Sequence, residues 1–397
     1  MASPLQSSDH DVDSTARQLD KRVATHASDD NCDSDACIAP RHSPSQPLQI
    51  ASPSLRIFVL LSRSSQSSSK TTHRRPTTMS ILSHFLHITN FQSPLLRTIV
   101  PSVGAAIALQ AVAGVPSVLA GTERFFDLSG SLTYLAVGAL SLYLPQLRAR
   151  VGNAALPRLL AAFGGGSAAA WNWRQVVVTS MAMLWATRLG YYLFDRITRD
   201  GHDPRFEKLR TQPLRFAASF FLQAMWVSLM LMPVFALNAV PAVAWRAVPR
   251  LMLSDVLGVG IWAGGFAMEA VADAQKSRWV EGKKKKEHEE QFLAKGLFSV
   301  SRFPHYFGEI SLWTGLATTA AGALALKPVQ IALGFTGPAG VLATTALSFT
   351  APAFSAFLLT QVSGIPMTEE RHDKRFKDNK EYQAWKRDTP KLVPKLW

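Results

Sequence analysis

The chain has 397 residues, 47% of them hydrophobic, and a formal net charge of +14. That length suits two or three soluble domains, but the apolar residues are unevenly spread. Residues 1–80 hold 17 serines, whereas the remainder holds several apolar runs of about 20 residues, the length a helix needs to cross a bilayer. The basic charge does not describe a nucleic-acid module, because the Lys and Arg sit in loops between apolar runs and not on a soluble reading face.

Residues 1–78 read as a disordered Ser-rich leader, in which Ser, Asp, Pro and His dominate and apolar periodicity is missing. Its eight Asp argue against a transit peptide, and no signal-peptide apolar region opens the chain. Met79 begins a second plausible start, MSILSHFLHITNF, directly before the first apolar run, so the membrane domain is placed at 79–397. Both cysteines, Cys32 and Cys37, lie in the leader and cannot staple a membrane core. No Cys/His cluster has metal-ligand spacing, and no metal site is expected.

The predicted fold is all-α, a polytopic transmembrane helix bundle of about seven spans, near 99–119, 128–146, 174–194, 216–236, 252–272, 308–326 and 338–360. The apolar segment 154–170 contains Pro157 and Gly164-Gly165-Gly166 and is expected to be interfacial or re-entrant. With seven spans, one side of the membrane receives 24 Lys and Arg, in 120–127, 195–215, 273–307 and the tail 361–397, while the other receives six. The positive-inside rule then places the richer side and the C-terminus in the cytosol, with the leader opposite.

Ionisable groups at membrane depth mark the candidate site. The third predicted span carries Arg188, Tyr191, Tyr192 and Asp195, followed by Arg196, Asp200, Asp203 and Arg205; Arg188, Tyr192 and Asp195 share one helix face. The competing reading is an arginine snorkelling beside interfacial tyrosines. In the fifth, Asp255 is placed to cap the helix, and Glu269, Asp273 and Lys276 have the spacing of a local charge ladder. Gly258, Gly260, Gly264 and Gly265 follow no strand, so they read as helix-packing positions and not as a dinucleotide loop. The run Lys283–Lys286 reads as a solvated connection, with attraction to anionic lipid or a cofactor phosphate as the alternative.

The stretch GLFSVSRFPHYFGEISLWTG, 296–315, brings Arg302, Pro304 and His305 to the mouth of an apolar helix on which Tyr306, Glu309 and Trp313 share a face. Glu309 reads either as a cofactor contact or as an ion pair to Arg302 or a lysine. The tail, with Glu369, Glu370, Phe376, Tyr382 and Trp385, reads as an amphipathic segment that lies on the bilayer surface or across that mouth.

The 296–315 stretch resembles the C-terminal signature of the steroid 5-alpha-reductase superfamily, in particular its uncharacterised steroid-reductase-like multispanning branch. Trp185, Arg188 and Leu189 with the Arg/Asp loop to Phe206, the set Glu269, Ala272, Asp273, Gln275 and Lys276, and the tail 369–394 match the same branch, so the likeness covers about 95–397. The resemblance implies an internal membrane such as the endoplasmic reticulum. It also implies NADPH held on the cytosolic side, and reduction of a carbon–carbon double bond conjugated to a ketone in a sterol- or isoprenoid-like substrate drawn from the bilayer. The cofactor-binding set it implies is Arg188, Arg196, Asp200, Asp203, Arg205, Asp273, Lys276, Arg302, His305, Tyr306 and Glu309; Tyr134, Tyr191 and Tyr192 are the candidate proton donors. Two departures stand out. The common Arg-His-Pro-Asn-Tyr signature reads Arg302-Phe303-Pro304-His305-Tyr306 here, and the early spans offer Tyr134 and Tyr143 but no Gln-Glu pair for a steroid ketone. The signature is also similar to that of isoprenylcysteine and phospholipid methyltransferases, which makes S-adenosylmethionine the alternative cofactor; a non-catalytic membrane protein is the third reading.

Overall fold

The computed structural model describes residues 81–152, 171–200 and 206–395. The leader, the 154–170 segment, and Asp203 and Arg205 lie outside the described residues; Arg196 and Asp200 belong to a described helix, but their side chains are not described. Among the described residues there are helices and turns and no strand. They run α1 (Ile81–Ile88), α2 (Pro94–Ala120), α3 (Phe126–Gly152), α4 (Trp173–Asp200), α5 (Glu207–Arg210), α6 (Pro213–Met230), α7 (Met232–Asn238), α8 (Leu253–Lys284), α9 (Pro304–Leu324), α10 (Lys327–Leu333), α11 (Gly337–Phe357), α12 (Gly364–Arg375) and α13 (Lys380–Asp388). This is the all-α polytopic bundle that the apolar runs predict.

Among the described residues, four helices are long and apolar enough to cross a membrane, or up to six if each of two bent pairs is one span. Those pairs are α6 with α7, bent by 53°, and α9 with α10, bent by 84°. Pro233 and Pro328 stand in the first turns after the bends, where a residue without an N–H ends one helical ladder and starts another. The predicted span 174–194 does form a helix, α4, but it is not among the apolar candidates. It buries Val178, Met181, Ala182, Trp185 and Ala186 inside the bundle, so its polar groups meet protein partners and it needs no uniformly apolar surface.

The core gathers around α4, α7 and α9. Every residue from Pro233 to Asn238 of α7 is buried. Asn238 donates from its amide to Ser141 of α3 at 2.9 Å and to Thr179 of α4 at 3.1 Å, which ties three helices at one level. At one end of the bundle, Arg174 and Asp255 form a salt bridge at 2.6 Å with both side chains 1% exposed. Asp255 also accepts from the Met252 amide at 2.8 Å, so it caps α8 as its position suggests and neutralises Arg174 as well.

The most extensive pairing is α8 against α9, and glycine makes it possible. A methyl on Gly308 would lie 2.7 Å from the Glu269 amide nitrogen, and one on Gly265 2.7 Å from the Gly308 carbonyl oxygen. Gly258 and Gly315 meet the partner backbone in the same way, two turns along. Gly260 and Gly264 face open space instead, so only half of the glycines read as packing positions pack here. At 1.5 Å per residue, the 32 residues of α8 extend about 48 Å, well beyond a bilayer's hydrocarbon core. Its polar end, through Lys276 and Trp279 to Lys284, continues as helix because Ala, Gln, Lys, Arg and Glu are good helix formers.

Candidate functional site

Two groups of residues meet along α8 and α9, one buried in the bundle and one at its polar mouth. The glycine contact sets the buried group. By letting the two backbones touch, Gly308 brings Glu269 beside the face of α9 that carries Glu309 and Trp313. Glu269 accepts from the Trp185 indole N–H at 3.2 Å and pairs with Arg188, whose second arm reaches Asp273 at 3.0 Å. Glu269 and Asp273 therefore answer a cation from α4. A carboxylate at this depth is tolerable because its charge is met at contact distance.

Trp185 is also the hub of an aromatic cluster. Its ring stands 5.0 Å from Trp313 and 5.6 Å from Tyr134, which in turn lies 5.0 Å from Trp226. The Tyr134 hydroxyl and the Trp313 indole nitrogen are buried without a hydrogen-bond partner. Two unspent donors in an apolar core are costly, and they fit a site where a ligand oxygen arrives. Glu309 accepts from Ser355 of α11 at 3.3 Å; Arg302 pairs elsewhere, with Glu369 of α12. Tyr192 is half-buried on α4, whereas Tyr191 is 78% exposed and projects away from this core.

At the mouth, α9 opens with a stack of rings: Phe303 lies parallel to Tyr306 at 5.8 Å, and His305 sits 4.0 Å from Tyr306. Tyr306 rests on Gly364, where a methyl would meet its ring at 2.9 Å. A π-helical turn, Leu358–Val362, carries the chain from α11 towards α12, and Gly364 lies two residues beyond its end. Such turns often mark functional positions in helical proteins.

The C-terminal tail crosses the approach segment before α9. The Trp385 indole donates to the Phe298 carbonyl at 3.0 Å, the Arg302 amide to Pro390 at 2.9 Å, the Ser301 hydroxyl to Leu392 at 2.8 Å and the Lys395 amide to Val300 at 2.9 Å. Phe292 packs its ring against Phe376, Tyr382 and Trp385. Of the two expectations for the tail, this arrangement matches the one across the mouth. Burial and the hydrogen bond that its hydroxyl gives Asp373 push the Tyr382 pKa up, and the hydrogen bond from Lys295 holds Glu290 below the usual carboxylate range.

Tail, approach segment and helix ends enclose a cavity of about 280 Å³. Its walls are aromatic, including Trp279, Phe292, Phe298, Phe303 and Trp385, and its charged lining is Lys276, Arg302, Arg371, Arg375 and Glu369. Of the residues predicted for a cofactor, the cavity brings together Lys276, Arg302 and His305, while Arg188, Asp273 and Glu309 belong to the buried group. Sequence reasoning did not select Arg371, Arg375 or Trp279, and it named Trp185 only as part of the resemblance, with no role in the site. The i, i+4 spacing of Arg371 and Arg375 was the available signal for the first two. Among the described residues, no group of three or more His, Cys, Asp or Glu is placed to hold a metal ion.

A family model described as "Protein of unknown function (DUF1295)" matches residues 151–389. No curated protein and no solved structure matches the chain.

Proposed function

The chain belongs to the DUF1295 family, and we propose that it is a membrane-embedded, NADPH-dependent reductase of a lipophilic enone. The observation that carries this reading is the aromatic, cation-lined cavity at the mouth of the same helix pair that holds a buried polar cluster below. Its residues fit a phosphate-bearing dinucleotide. Arg302 has a buried Nε and His305 a buried Nδ1 without partners, Lys276, Arg371 and Arg375 offer charge for phosphates, and the ring walls suit flat heterocycles. NADPH would supply the hydride.

In this reading Arg188, Glu269 and Asp273 fix α4 against α8 and keep the polar end of the bundle in one geometry. Tyr134 holds a proton at a buried hydroxyl that nothing in the protein claims, and it donates to the carbonyl side of the substrate. The lipophilic substrate arrives from the bilayer, and the mouth faces the cytosol of an endoplasmic-reticulum-type membrane, as the excess of basic loops argues. Phe303 and His305 stand where the signature of the steroid-reductase-like proteins has His and Asn.

S-adenosylmethionine is the less favoured ligand, because its sulfonium would enter a cavity lined by more cations than anions. The test is thermal stabilisation of the purified, solubilised protein by NADPH, by S-adenosylmethionine and by neither. A ligand at 100 times its Kd raises stability by about 2.7 kcal/mol. NADPH alone should raise the midpoint; a rise with S-adenosylmethionine alone would replace the reductase with a methyltransferase, and no rise with either would favour a non-catalytic role.

A further inference from the structure

Among the described residues that line the mouth cavity, Glu369 is the sole carboxylate. It also holds two cations at once. It pairs with Arg302 from the approach segment and, at 2.8 Å, with Lys391 from the tail, and it is 15% exposed. The Arg302 side chain is 10% exposed, and its Nε has no partner. One arm of the most enclosed cation in the cavity is thus held by an internal acid, while another donor is left over.

We propose that Glu369 is an internal competitor for the cavity, a carboxylate that occupies on Arg302 the place a ligand phosphate takes. This inference rests on the reading of the cavity as a phosphate site. Carboxylate and phosphate bind a guanidinium through the same paired hydrogen bonds. A phosphate therefore gains the Arg302 Nη1 only by displacing Glu369, and the orphaned Nε gives the incoming group a contact that Glu369 leaves unmade. Lys391 supports the exchange. It keeps Glu369 paired after Arg302 is lost, so the displaced carboxylate is not stranded without a counter-ion. Glu369 then lowers phosphate affinity and sets it apart from affinity for uncharged or cationic ligands.

The two neighbours predict opposite effects. Glu369→Gln removes the competitor and should tighten phosphate ligands by about tenfold, a modest value for a close charge pair. Lys391→Gln leaves Glu369 with Arg302 alone and should weaken the same ligands. Loosening of the tail would instead move both variants in one direction.

The experiment measures binding of NADPH, inorganic pyrophosphate and S-adenosylmethionine to the full chain and both variants. Nanodiscs of zwitterionic lipid keep anionic headgroups from competing. Opposite shifts for NADPH and pyrophosphate, with S-adenosylmethionine unmoved, support the proposal. Opposite shifts for pyrophosphate with no NADPH binding in any form keep the competitor and overturn the reductase. Tightening by neither variant, or weakening by both, overturns the competitor while NADPH binding to the unmodified chain keeps the reductase. Absence of binding by pyrophosphate and NADPH to every form overturns both.

Discussion

Arg174 and Asp255 show how little of a residue's environment its neighbours in sequence reveal. Asp255 sits at a helix start, and its capping role follows from that position alone. Arg174 stands at the first turn of a predicted span, where a basic residue ordinarily reaches for headgroups. In the fold it is 1% exposed and donates to Asp255 from two nitrogens, at 2.9 and 2.6 Å, and to the Pro249 carbonyl at 2.9 Å. Removing one partner of such a pair strands the other charge. Arg174→Met should therefore cost about 3–5 kcal/mol, and the paired change with Asp255→Leu should recover most of it. A double-mutant cycle on thermal midpoints in detergent measures this; a paired loss equal to the sum of the two single losses would mean the charges do not depend on each other. Glu309 was legible as an unusual carboxylate, but its partner was not, because Ser355 lies 46 residues away on another helix.

At the scale of elements, α8 and α9 depend on which glycines face inward. The sequence shows four glycines between 258 and 265, and their composition suits helix packing. It does not fix the rotation of the helix, which is decided by the glycines at 308 and 315 on the other side. Gly308→Ala places a methyl 2.7 Å from backbone, where no side chain can swing aside, and should destabilise by about 1–3 kcal/mol. Gly264→Ala meets nothing within 4 Å and should be neutral or slightly stabilising through helix propensity. Thermal midpoints of the two variants test this, and an equal fall in both would refute the assigned faces. The same limit explains α4. Hydropathy predicts it as a span at 174–194, yet its polar groups are satisfied by α8, which only the packed bundle supplies.

At the scale of the whole molecule, the C-terminal tail closes the mouth from nearly 100 residues away along the chain. Its grip is part aromatic and part polar, and Tyr382 supplies both, buried among rings while donating to Asp373 at 3.0 Å. The neutral hydroxyl is the form the fold favours, so its pKa is raised over that of the unfolded chain. The sign follows: this contribution is fully present below the ordinary tyrosine range and is lost as the pH rises through the raised value. Tail protection against proteolysis should fall at alkaline pH, and Tyr382→Phe should remove that part of the pH dependence. An unchanged alkaline profile in the Tyr382→Phe chain would assign it to another group.

Apolar runs, Pro positions and basic loops determined the fold class by themselves, because a helix that meets lipid must satisfy its backbone internally and present apolar side chains, and both requirements are local. The sequence also marked Arg188, Glu269 and Glu309, since a charge at membrane depth is conspicuous wherever it stands. Tertiary structure decided who meets whom: Arg188 with Glu269, Arg302 with Glu369, Ser355 with Glu309, and the tail with the approach to α9. It also bent two of the apolar runs at proline and buried one face of α4 inside the bundle. Those outcomes depend on the rotation and depth of whole helices, and these are fixed by side-chain packing between segments far apart in sequence.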